Sequence, residues 1–75
     1  MSDLTNEDQL AVLTSHKKNL EFNAYNLQVS IIEENAKDAP DSNSITILKK
    51  KIAEIENQKA ALDTEIAKIT PVTPA

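Results

Sequence analysis

At 75 residues the chain is one domain at most, and without cysteine it has no disulfide or thiolate metal site to offset the entropy of ordering so short a chain. Its one histidine, His16, cannot form a metal site alone, so no metal, cofactor or small-molecule ligand is expected. The net charge of −4, from 12 acids against 8 lysines and no arginine, argues against nucleic-acid contact, which needs a basic face.

Residues 1–5 read as a flexible lead. Met1 to Asp8 is acidic and polar, without the basic start and apolar stretch of a secretory leader, and no apolar run approaches the roughly 20 residues that cross a bilayer. A cytoplasmic protein with no membrane partner is the expectation. Glycine is absent, which removes the usual material for phosphate-cradling loops and tight β-hairpin turns.

The helical hairpin is expected to span 6–70. Thr5 is a plausible N-cap, with Glu7 and Asp8 in the first turn, where negative charge suits the helix dipole. Neither proline nor glycine interrupts the chain from Asn6 to Asn35, so a first helix is predicted over about 6–36, some ~45 Å long at ~1.5 Å per residue. The break is Asp38–Ser44. Pro40 disfavours helix at Ala39, and Asp41, Ser42, Asn43 and Ser44 are all good cap residues. The turn is placed at about 37–43 and a second helix at about 44–70, with Lys68 in its last turn and Pro71 ending it. Residues 71–75 form a Pro-rich tail.

The second helix has alternating three- and four-residue spacing of Ile45, Leu48, Ile52, Ile55, Lys59, Leu62, Ile66 and Ile69, a coiled-coil pattern. The first helix repeats it with interruptions: Leu10, Lys17, Ala24 and Ile31 at a, and Leu13, Leu20, Leu27 and Glu34 at d. An antiparallel pair joined by a short turn requires facing positions of constant index sum. Ile31 with Leu48, Leu27 with Ile52, Ala24 with Ile55, Leu20 with Lys59, Lys17 with Leu62, Leu13 with Ile66 and Leu10 with Ile69 all meet that requirement. The implied turn is centred between residues 39 and 40, where the proline stands. Turn chemistry and hydrophobic register therefore agree. The expected fold is all-α: a two-helix antiparallel coiled-coil hairpin that associates into a four-helix bundle or larger helical assembly.

Each helix places a lysine in the seam near its middle. The stems of Lys17 and Lys59 can cover apolar surface while their heads reach Glu21, Glu56 or Asp63, and a polar a position also penalises slipped pairings. The first helix carries a second apolar row, Phe22, Tyr25, Val29, Ile32 and Ala36, roughly 140° from the Leu13–Leu20–Leu27 stripe. Two helices cannot bury both rows. Phe22 and Tyr25 are the chain's only aromatic residues, and aromatics are enriched at binding hot spots. This row is the candidate face for a second copy or another helical protein. Ala53, Ala60 and Ala67, seven apart, give the second helix a small-residue flank on which another helix could lie.

No catalytic arrangement emerges, and no enzyme is expected. Glu33 and Glu34 point about 100° apart on a helix, and Glu54–Glu56 and Asp63–Glu65 also splay. His16 falls beside Glu65 in the hairpin register and reads as solvated or ion-paired. Lys49, Lys50 and Lys51 are expected to neutralise Glu33 and Glu34 across the hairpin end, or to offer a small patch to an acidic partner. Residues 1–40 carry 7 acids against 3 lysines and residues 41–75 carry 5 of each, so the acidity belongs to the first helix and its lead.

The function expected from these features is a non-enzymatic, self-associating assembly, scaffolding or chaperone-type factor. In shape it is similar to small hairpins that serve as secretion-system co-chaperones, needle subunits and phage morphogenesis proteins, an analogy that no motif here carries further. The alternatives are a helical filament subunit and a small acidic inhibitor that blocks a basic site on a nucleic-acid enzyme.

Overall fold

The computed structural model describes residues 3–69. It contains two helices, α1 (Asn6–Asn35) and α2 (Ser42–Ile69), packed against each other as a helical hairpin in a molecule of 54 × 29 × 17 Å. The lead at residues 1–2 and the tail expected at 71–75 lie outside the described residues.

The start of α1 is set by a reciprocal cap. Thr5 is extended (φ −69°, ψ 166°), and its hydroxyl accepts the Asp8 amide at 3.0 Å while the Asp8 carboxylate accepts the Thr5 amide at 3.3 Å. Two amide donors that the helix cannot satisfy itself are thereby paired, and the acid sits at the positive end of the dipole. The other end has no glycine to take up a left-handed cap, and no described residue has positive φ. Ala36 stays right-handed, its amide shared between the Ile32 and Glu33 carbonyls, and Lys37 donates to the Glu34 carbonyl at 3.2 Å.

Two carboxylates then hold the bend. Glu34 accepts the Asp41 amide at 3.0 Å with one oxygen and the Lys37 ammonium at 3.0 Å with the other, tying the last turn of α1 to the residue before α2. Asp41 is the cap used among the four candidates at 41–44. Its carboxylate accepts the Asn43 amide at 2.9 Å, the Ser44 amide at 3.4 Å and the Ser44 hydroxyl at 3.1 Å, and its carbonyl takes the Ile45 amide. The Asn43, Ser44 and Ile45 amides in the first turn of α2 are thus satisfied by Asp41.

Between the helices runs a narrow apolar seam. Leu10, Leu13, Leu20, Leu27 and Ile31 of α1, and Ile45, Leu48, Ile52, Ile55, Leu62, Ile66 and Ile69 of α2, are half-buried. Only Ala24 is fully buried among the described residues, at 5% exposure. Its methyl group lets the backbones approach at mid-seam, and two round rods shield little else completely. The apolar residues of α2 point in one direction. Those of α1 nearly cancel around the axis, because they lie on two sides of it.

Candidate interaction surfaces

The outer side of α1 carries the second apolar row. Phe22, Tyr25 and Ile32 are 60%, 64% and 64% exposed. Val29, one turn from Tyr25 and from Ile32, is half-buried. Ala36 is exposed as the cap residue just past α1 and borders the strip at the turn. The Lys18 ammonium stands 5.7 Å from the centre of the Phe22 ring, within reach of a cation–π attraction. Lys18, Glu21, Phe22 and Tyr25 enclose a shallow cleft of about 260 Å³.

The seam lysines are half-buried and both lean towards the same edge of the hairpin. Lys17 reaches Asp63 at 2.7 Å and Lys59 reaches Glu56 at 3.6 Å. Glu56 and Asp63 are seven residues apart and therefore share one stripe of α2. The Asp63 carboxylate, by hydrogen bond and then by charge, raises the Lys17 pKa above its ordinary value of 10.5. Lys18 approaches Glu21 at 4.0 Å along the same side.

Neither seam lysine reaches the opposite edge. There His16, Asn19, Leu20 and Asn23 of α1 and Gln58, Ala61 and Leu62 of α2 line an open groove of about 490 Å³, with amides at its rim and leucines at its floor. The sequence reading did not pick out this groove. Its signal was available in Asn23 and Gln58, which flank the seam at matching heights. Glu65, the expected neighbour of His16, pairs instead with Lys68 at 3.1 Å.

Comparison with protein-family models, curated proteins and solved structures gives no match.

The lysine run behaves differently from expectation. Among the described residues, none of Lys49, Lys50 and Lys51 forms an ion pair with Glu33 or Glu34 within 4.0 Å. Glu34 is already held by Lys37 and the Asp41 amide, so the run stays solvated and available. The Asp41 amide first, and Lys37 second, hold the Glu34 carboxyl below its ordinary pKa. Asp41 is lowered likewise by the Ser44 hydroxyl and then by the amides of Asn43 and Ser44. Among the described residues no group of three or more His, Cys, Asp or Glu side chains could hold a metal ion, and no helix is long and apolar enough to cross a membrane.

Proposed function

We propose that this chain is a non-enzymatic helical-hairpin protein that acts by protein–protein contact, self-associating through the outer strip of α1 to serve as an assembly, scaffolding or chaperone-type factor. The observation that carries the proposal is the exposed row of Phe22, Tyr25 and Ile32 on a helix whose other side is already committed to the seam. An open apolar strip with both aromatic residues of the chain in it is costly to leave in water and is well suited to a docked helix. Support also comes from the seam itself. With Ala24 alone fully buried among the described residues, two rods gain little apolar burial against the roughly 1.5 kcal/mol per residue that ordering them costs. A third and fourth helix would add the missing burial. In the same proposal the α1–α2 seam is of the coiled-coil type, on the strength of its three- and four-residue spacing of Ile and Leu.

Sedimentation of the wild type against Phe22→Asp/Tyr25→Asp tests this. The wild type is expected to run larger than a monomer at micromolar concentration. The double variant is expected to run as a monomer that keeps part of its helicity. A well-folded wild-type monomer at that concentration overturns the proposal.

A further inference from the structure

On the side of the hairpin away from the α1 strip, α2 turns a row of small residues outward. Ala53, Asn57, Ala60, Thr64 and Ala67 follow three- and four-residue spacing, and all are exposed. The row carries no charge over ~21 Å of helix at ~1.5 Å per residue. The Thr64 hydroxyl donates back to the Ala60 carbonyl at 3.1 Å, so its polarity is turned onto its own helix. One edge of the molecule therefore presents large apolar side chains, and the other presents the low relief that such side chains fill.

Charge favours bringing these two edges together. The α1 helix holds Glu7, Asp8, Glu21, Glu33 and Glu34 against Lys17 and Lys18, a balance of −3. The α2 helix holds Glu54, Glu56, Asp63 and Glu65 against Lys49, Lys50, Lys51, Lys59 and Lys68, a balance of +1. Pairing the strip with itself across a two-fold axis would set −3 against −3 and Tyr25 among other large side chains. Pairing it with α2 of a neighbour sets the acidic helix against one without excess acid, and large residues against small. With the turns of two hairpins at one end and level, the register of the seam is repeated to within one residue across the new contact: Tyr25 comes close to Ala53, and Lys18 close to Ala60. Lys50, which forms no ion pair among the described residues, then lies within about a turn of the neighbour's Glu33.

We propose that the occupant of the α1 strip is the outer face of α2 from a second copy of this chain, so that hairpins join edge to edge and head to tail. The proposal rests on the self-association proposed above. A contact between unlike faces does not close on a pair, so each joined pair keeps one free strip and one free α2 face, and assembly proceeds to a ring or an open filament.

Mixing separates this from a self-paired strip. Phe22→Asp/Tyr25→Asp blocks the strip and leaves α2 intact, whereas Ala53→Glu/Ala60→Glu blocks α2 and leaves the strip intact. Each variant alone is expected to be a helical monomer, and an equimolar mixture is expected to yield a heterodimer that goes no further. If Ala53→Glu/Ala60→Glu assembles as the wild type does, or if the mixture stays monomeric, the unlike-face contact is wrong while self-association can still stand. A monomeric wild type removes both. Should either double variant lose its helicity, cysteine cross-linking decides instead, since the chain has no cysteine of its own. Lys18→Cys mixed with Ala60→Cys is expected to oxidise mainly to the mixed disulfide dimer. A statistical mixture, or dimers of Lys18→Cys alone, overturns the inference.

Discussion

Glu34 and Asp41 act in series at the bend, the first holding the backbone of the second and the second capping α2. Asp41→Ala is expected to lower the melting midpoint by about 5 °C, the usual cost of an N-cap in a domain of this size. Both carboxyls lie below their ordinary pKa, so their stabilisation is complete above the ordinary carboxylate range and is lost as the pH falls through it towards their folded values. Lys17 works in the opposite sense. Its pKa is raised, so its contribution is complete below 10.5 and is lost as the pH rises through the folded value. Helical circular dichroism against pH is therefore expected to stay flat near neutrality and fall at both extremes. Glu34→Gln should weaken the acid limb, and Lys17→Met should remove much of the alkaline one. An unchanged acid limb in Glu34→Gln would show that the bend is held by something else.

For the helices, Ala24 sets how closely α1 and α2 approach. Ala24→Leu is expected to cost about 1–3 kcal/mol by overpacking a site that has no slack. Ile55→Ala, which trims the residue facing it, is expected to cost about 2 kcal/mol. Ile47→Ala, an exposed residue of the same type on the same helix, should change stability by less than about 0.5 kcal/mol. Denaturant unfolding of the three variants checks the order. The helical hairpin was legible in the sequence because the seam residues of α2 point one way and Pro40 forbids a continuous rod. The bend was less legible. Glu34 occupies a position where the repeat calls for an apolar residue, and only the backbone path shows why: its carboxylate reaches the Asp41 amide across the turn. The lysine run was misjudged for the same reason, since spacing along a helix does not reveal that Glu34 is already engaged. The groove was missed because Asn19, Asn23 and Gln58 form neither an apolar nor a charged row on either helix taken alone, and only the pairing of the helices brings them together.

Taken as a whole, the molecule is a thin object with three unlike sides: a charged edge where both seam lysines find acids, a neutral amide-lined groove, and an apolar strip along the outside of α1. If the hairpin is completed only by association, folding and assembly are linked, and stability depends on how much protein is present. The most direct measurement is the melting midpoint of the wild type over a wide range of chain concentration, beside Phe22→Asp/Tyr25→Asp. The midpoint of the wild type is predicted to climb with concentration and that of the variant to stay level and low. A wild-type midpoint that does not move with concentration would contradict the account, because it would mean that two helices alone suffice and that the strip around Tyr25 has no occupant.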